Sequence, residues 1–198
     1  MVTLRNVRPG DLEALYNICL VTAASGEDAS GLHHDPKLVG HIYVAPYAEI
    51  EPAQALVAED ELGVAGYLVG TLDTDAFAEK LERDWWPALR TRYAEPDFVP
   101  TAADRQRMRA IDEPEADPAA IVAEYPAHIH MNLLPRLRGQ GVGRALVEQW
   151  VAGARAAGVP GIHLGAGASN VGGIAFWTKV GFKPLLTIGR SAWFGMKL

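Results

Sequence analysis

The sequence predicts an α/β fold: a mixed, mostly antiparallel sheet of about seven strands flanked by helices. Three observations carry this. Apolar residues switch repeatedly along the chain between alternation and helical spacing. A tight hairpin signal, Asp60-Glu61-Leu62-Gly63, and two closing strands near the end call for antiparallel neighbours. Helical patterns between the other late strands call for crossovers, so both connection types share one sheet. No repeat, low-complexity tract or linker divides the 198 residues, and residues 1–198 are expected to form a single domain.

Val2 to Val7 alternates like a strand and stops at Arg8-Pro9-Gly10. Asp11 is placed to cap a helix running to about Val21. Residues 23–34 are small and polar, a loop. Asp35-Pro36 reads as the cap and first position of a second helix, which should stop near Pro46. Gln54 to Glu59 and Val64 to Leu72 are the hairpin strands. Asp73-Thr74-Asp75 opens a helix from Ala76 to about Tyr93, broken or kinked at Pro87. Residues 102–111 are weakly helical and 112–117 an acidic connection; 119–123 is a short helix. Ala127 to Leu134 is a strand. Leu146, Val147, Trp150, Val151 and Ala154 share one face of a helix ended by Gly158. Gly161 to Gly165 is a short strand. Ser169 or Asn170 begins a helix over Ile174 to Val180. Phe182 to Ile188 and Ala192 to Lys197 close the sheet.

Composition narrows the function classes. A net charge of −6 argues against general binding to nucleic acid or anionic membranes. The single cysteine, Cys19, excludes an intramolecular disulfide framework and a Cys-rich metal site, and its helical position reads as core. His33-His34-Asp35 with His41 is a poor chelating arrangement, so no metal is expected. The chain shows no signal-peptide pattern and no apolar run of ~20 residues, which makes a cytoplasmic protein the expectation.

The chemistry gathers around Arg138-Gly139-Gln140-Gly141-Val142-Gly143-Arg144, between a strand and a helix. Glycines at alternate positions leave backbone N–H groups uncovered, and a helix N-terminus adds unpaired donors and partial positive charge. Such a turn suits a phosphate. A Rossmann loop needs its third glycine one position later and an acid about twenty residues on, and a P-loop needs Gly-Lys-Ser/Thr. Neither fits. The pattern Arg/Gln-x-x-Gly-x-Gly/Ala is met by Arg138, Gly141 and Gly143.

The run Leu133-Leu134-Pro135-Arg136-Leu137-Arg138-Gly139-Gln140-Gly141-Val142-Gly143 resembles the acetyl-CoA motif of the GNAT N-acetyltransferases, and so does Asn170 to Phe182 downstream. Gly26 to Ser30, Asp35-Pro36 and Gly40-His41-Ile42-Tyr43 are similar to a narrower subgroup, the acetyltransferase-like domain at the C-terminus of O-GlcNAcase and its free-standing bacterial relatives. The resemblance implies the GNAT (acyl-CoA N-acyltransferase) fold, with a cofactor core over about 127–190 and acceptor-side elements over about 11–125. It implies acetyl-CoA as cofactor. Backbone groups near Leu133 and Leu134 would pair with pantetheine as an added strand does. The N–H groups of Gly139, Gln140, Gly141, Val142, Gly143 and Arg144 would cradle the pyrophosphate, with Arg138 or Arg144 adding charge. Asn170 and Gly173 would touch the CoA arm, and Phe176 and Trp177 would line its channel.

The reaction so implied is direct attack of an amine on the acetyl thioester. Holding the reactants in line supplies roughly 7–11 kcal/mol. The amine must be neutral: at pH 7 deprotonation costs about 4.6 kcal/mol for a pKa near ~10.4 and about 1 kcal/mol near ~7.7. Candidate bases sit on the 127–134 strand, where His128, His130 and Asn132 alternate onto one face. Some family members use a histidine pair there, but offset by one residue from this one, which flips the face unless a bulge intervenes. The subgroup would place an acid at position 132, and Asn132 is no base. The family commonly has tyrosine after the phenylalanine of the second motif, as acid for the thiolate; here Trp177 stands there. Asp28, His33, His34, His41, Tyr43, Tyr47 and Asp73 could border an acceptor pocket. Two functions fit: an N-acetyltransferase acting on a small-molecule amine or a peptide, or a catalytically silent relative that binds acetyl-CoA or a partner. A monomer and a homodimer are both compatible.

Overall fold

The computed structural model describes residues 1–198. Seven strands form one sheet: β1 (Thr3–Asn6), β2 (Ala55–Asp60), β3 (Gly63–Thr71), β4 (Ala127–Leu133), β5 (Gly161–Gly167), β6 (Lys183–Ile188) and β7 (Ser191–Lys197). Their order is β1-β2-β3-β4-β5-β7-β6. Every neighbouring pair is antiparallel except β4 and β5. The expected hairpin joins β2 to β3: Asp60 pairs with Gly63, and the Asp60 carboxylate accepts the Leu62 N–H at 2.9 Å.

Alternation along the strands splits the core in two. On one face Leu56, Leu68, Ile129 and Ile162 pack against Leu146, Val147, Trp150 and Val151 of α8 (Val142–Ala156). On the other, Val57, Tyr67 and Val69 pack against α1 (Leu12–Leu20), α3 (Ala45–Ile50) and Phe77 of α4 (Thr74–Asp84). A third cluster joins α2 (Leu38–Tyr43), α5 (Trp86–Tyr93) and α6 (Ala102–Asp112) through Leu38, Trp86, Leu89, Tyr93 and Ile111. Two further helices are α7 (Ala119–Glu124) and α9 (Val171–Lys179). None of the helices is long and apolar enough to cross a membrane.

Several helix ends differ from the sequence reading. Asp11 does not cap α1; its carboxylate takes the Arg8 N–H at 2.7 Å and the Arg5 guanidinium at 2.6 and 2.9 Å. Asp35 precedes α2 by three residues, accepting the Lys37 N–H, the Tyr93 hydroxyl and Arg92. Pro46 stops nothing: the chain breaks at Val44, and Pro46 occupies the first turn of α3, where its missing N–H costs nothing. The weakly helical 102–111 segment is a full helix, because Thr101 and Asp104 form a reciprocal capping box.

Candidate active site

The site begins where β4 and β5 part. They pair only at Ala127 with Ile162 and His128 with His163, after which β5 runs on beside β7. On its other side β4 pairs with β3 without a bulge, from Thr71↔His128 to Gly66↔Leu133. The Leu134 N–H bonds to the Ala65 carbonyl at 2.8 Å. In an antiparallel ladder alternate residues face the same neighbour, so Asn132 and His130 also spend their backbone groups on β3. Met131 and Leu133 then turn theirs toward the gap. This corrects the expectation for Leu134, whose N–H is taken; the open strand edge is Met131 and Leu133.

The gap widens into a cleft of about 1080 Å³ through the sheet. One end is the glycine loop. Gly139 and Gly141 have φ of +75° and +80°, left-handed values that glycine adopts most readily, with open space where a side chain would stand. The N–H groups from Gly139 through Arg144 donate to no protein group. They point from a left-handed turn and the first turn of α8, which makes an anion cradle. Gly143 packs closely: a Cβ there would stand 3.1 Å from the Phe176 ring and 3.2 Å from the Leu133 side chain, each of which would have to give by a few tenths of an ångström. Asn170 caps α9 through the Gly173 N–H at 2.9 Å while lining the cleft. Phe176 and Trp177 form a wall, set edge to face at 5.1 Å. The Trp177 indole N–H has no protein acceptor, and no buried side-chain nitrogen or oxygen of the molecule lacks a partner, so that N–H is not sealed from solvent. Arg138 reaches the Leu133 carbonyl at 3.2 Å and the Gly26 carbonyl at 2.8 Å, tying the strand end to the loop after α1. Arg144 reaches the Lys179 carbonyl at 3.3 Å. The Gln140 side chain turns away to the Arg136 carbonyl at 2.5 Å and contributes only its backbone.

At the other end stand His130, Asn132, Tyr43, Arg107, Thr22 and Glu27. Asn132 is held by two hydroxyls: its Nδ2 donates to Thr22 at 2.5 Å, and its Oδ1 accepts from Tyr67 at 3.0 Å. Arg107 donates to the Tyr43 hydroxyl at 3.0 Å. His130 Nε2 lies 3.1 Å from the Tyr47 hydroxyl, while its Nδ1 has no protein partner and opens on the cleft. Burial pushes the His130 pKa down to about 4, the nearby Asp117 carboxylate resisting and His163 adding to the fall. The ring is neutral at pH 7, which is the state a proton acceptor needs.

Other residues expected here lie elsewhere. His128 is buried behind His130, with its Nε2 2.7 Å from the Tyr47 hydroxyl and its Nδ1 2.8 Å from the Thr74 hydroxyl. Burial, reinforced by His130, pushes its pKa down to about 3. His41 lies under α5, its Nδ1 2.8 Å from the Tyr93 hydroxyl. Asp73 caps α4 through the Ala76 N–H. Asp28 makes an exposed turn with Ser30. His33 and the His34 N–H bind the buried Asp104 carboxylate of α6. Only Tyr43 of these lines the cleft.

Sequence reasoning passed over Thr22, Arg107 and Trp193 in the cleft, and Tyr67, Asp117 and His163 behind it. Gly165 and Gly167 on β5 were the available signal: small residues leave room beside the gap.

The comparisons agree with this geometry. Residues 29–182 match the Acetyltransferase (GNAT) family. The crystal structure of SsHAT is 34% identical, with a TM-score of 0.91, covering 99% of this chain and 98% of that one. Rat and mouse O-GlcNAcase are 25% identical over 96% of this chain, which spans 22% of their length. YncA of Salmonella typhimurium, solved with its cofactor acetyl-CoA, shares the fold at 15% identity and a TM-score of 0.54, covering 99% of this chain and 93% of that one. With more than half its length matched, the chain belongs to the GNAT acetyltransferase family.

Proposed function

We propose that the protein is an acetyl-CoA-dependent N-acetyltransferase that moves the acetyl group to an amine by direct attack. The observation that carries this is the run of unpartnered N–H groups from Gly139 through Arg144 at one end of a cleft whose other end is His130. The donor set fits a pyrophosphate: consecutive backbone donors, a helix N-terminus and left-handed glycines. The open edge of Met131 and Leu133 fits the amide-bearing pantetheine arm, and Phe176 fits its apolar portion. Bound acetyl-CoA would supply the activated thioester.

His130 is the base in this reading. With a pKa near 4 it is too weak to strip an alkylammonium at rest. It would suit the ammonium of an amine already joined to the acetyl carbon, which is more acidic than an alkylammonium because the oxygen and sulfur on that carbon withdraw electrons. The bare Nδ1 takes that proton as the thiolate leaves. The Trp177 N–H would at most offer a hydrogen bond to the sulfur of a bound cofactor and keep its proton, so the proton for the released thiol would have to come from solvent. Asn132, with both side-chain ends committed to Thr22 and Tyr67, shapes the acceptor end.

One observation favours a silent relative: no acid replaces tyrosine at Trp177. Calorimetry with acetyl-CoA tests the cofactor reading. Micromolar binding is expected; no heat and no thermal shift at millimolar cofactor would refute it. Free-thiol release with amines, amino sugars and basic peptides then separates enzyme from silent binder.

A further inference from the structure

Behind His130 runs a chain of hydrogen bonds whose direction is fixed by its inner end. The Thr74 hydroxyl oxygen lies 2.7 Å from the Pro126 carbonyl oxygen. Two oxygens that close need a hydrogen between them, and a carbonyl has none to give. Thr74 therefore donates to Pro126. Its oxygen, 2.8 Å from Nδ1 of His128, is left to accept, so His128 carries its proton on Nδ1. The Asp117 carboxylate, 4.0 Å from the same nitrogen, favours the same placement. Asp117 is in turn bound at 2.9 Å by Nε2 of His163, whose Nδ1 donates to the Tyr125 carbonyl at 2.6 Å.

With its proton on Nδ1, neutral His128 has a bare Nε2, which accepts the Tyr47 hydroxyl at 2.7 Å. The Tyr47 oxygen then accepts from Nε2–H of His130 at 3.1 Å. His130 is left with a bare Nδ1, the nitrogen open to the cleft.

We propose that Thr74, His128 and Tyr47 are positioning residues that lock His130 in its Nε2–H tautomer, aiming the bare Nδ1 at the acceptor amine. This rests on His130 as the base of the reaction proposed above. Run backwards, the same chain would put the proton on Nδ1 and make His130 a donor. Every member both gives and takes one hydrogen, so the chain reverses as a unit or not at all. When Nδ1 takes the substrate proton, the substrate's covalent N–H bond breaks, its electron pair staying on the substrate nitrogen, and an N–H bond forms on His130, which becomes the imidazolium. The Nε2–H stays on Tyr47, and nothing behind it has to rearrange.

Long-range proton–nitrogen NMR on protein with nitrogen-15 histidine reads this directly, without cofactor or acceptor. His130 and His128 are assigned by their loss in His130→Gln and His128→Gln. Opposite tautomers are expected: Nε2–H for His130 and Nδ1–H for His128. Thr74→Val should turn His130 into a mixture of tautomers and lower kcat about tenfold with KM for acetyl-CoA unchanged, while Thr74→Ser restores both. An Nδ1–H His130 in the wild type, or a Thr74→Val protein with an unchanged His130 signature, would overturn the lock. So would one zinc ion bound per chain at Asp117, His128 and His163, since a metal would need His128 Nδ1 bare. Should Thr74→Val not fold, the wild-type spectrum decides. Failure of acetyl-CoA to bind refutes the enzyme reading and leaves these spectra as they are.

Discussion

At the scale of single residues, the proposed mechanism separates a weak base, His130, from the groups that hold it. His130→Gln keeps a polar side chain but loses the proton acceptor, and should lower turnover by roughly 10²–10⁴-fold with the Kd for acetyl-CoA unchanged by calorimetry. An equal fall in affinity would show that His130 packs the cofactor instead. The depressed pKa of His130 also predicts acceptor preference. Because the amine must arrive neutral, an amine with a pKa near ~7.7 should exceed an alkylamine in kcat/KM at pH 7, and the alkylamine should gain about tenfold per pH unit toward its own pKa. A flat profile between pH 7 and 9 for the alkylamine would mean that a stronger base acts before attack. Period-two alternation made His130 and Asn132 legible in the sequence, since both stand on one face of an uninterrupted strand. What alternation could not give was depth: His128 shares the face but lies under Tyr47 and Thr74, both distant in sequence.

At the scale of elements, the glycine loop was legible because it depends on local chemistry: alternate glycines, a helix start, and a strand leading in. The cradle makes a prediction of its own. Asn and Asp both tolerate the left-handed backbone of Gly141, so Gly141→Asn and Gly141→Asp should fold alike. Only Asp places a charge among the anion donors, and it should weaken acetyl-CoA binding at least tenfold beyond Asn. Equal affinities would move the pyrophosphate elsewhere. The acceptor side was poorly legible. Asp28, His33, His34, His41 and Asp73 cluster in sequence order, yet turns, caps and the buried Asp104 claim nearly all of them. Arg107 enters from a helix whose sequence alone looked weak, since its capping box lies outside the apolar pattern. Strand spacing is a second element-level constraint. A Cβ on Gly70 would stand 2.3 Å from the His128 carbonyl oxygen and 2.9 Å from Trp150, and backbone cannot step aside. Gly70→Ala should cost about 2–3 kcal/mol and lower Tm by roughly 4–12 °C. An unchanged melting curve would mean that β3 and β4 separate freely there.

For the whole molecule, building a site from neutral buried histidines makes stability depend on pH. Burial is the leading cause in each case: His41 is pushed down to about 4, His130 to about 4 and His128 to about 3. In the unfolded chain each titrates near ~6.5. Between those values the unfolded chain binds protons that the folded one refuses. The stability these histidines provide is therefore complete above about pH 6.5, is lost as pH falls below it, and stops falling near pH 3–4. The carboxylates act in a separate window. Asp117 resists burial through its bond to His163 and ends below its ordinary value, so its contribution is lost only under more acid conditions, below about pH 4. From pH 7.5 to 5.5 the three histidines together should withdraw about 4 kcal/mol, a fall in Tm of roughly 8–16 °C. His41 lies outside the cleft, against the Tyr93 hydroxyl. His41→Gln should thus reduce the slope of Tm against pH by about a third while acetyl-CoA binding stays as it was. Melting curves for both proteins across this range decide it: a wild-type Tm that holds constant from pH 7.5 to 5.5 would mean that the buried rings take up protons without unfolding, and that His130 is a stronger base than its burial implies.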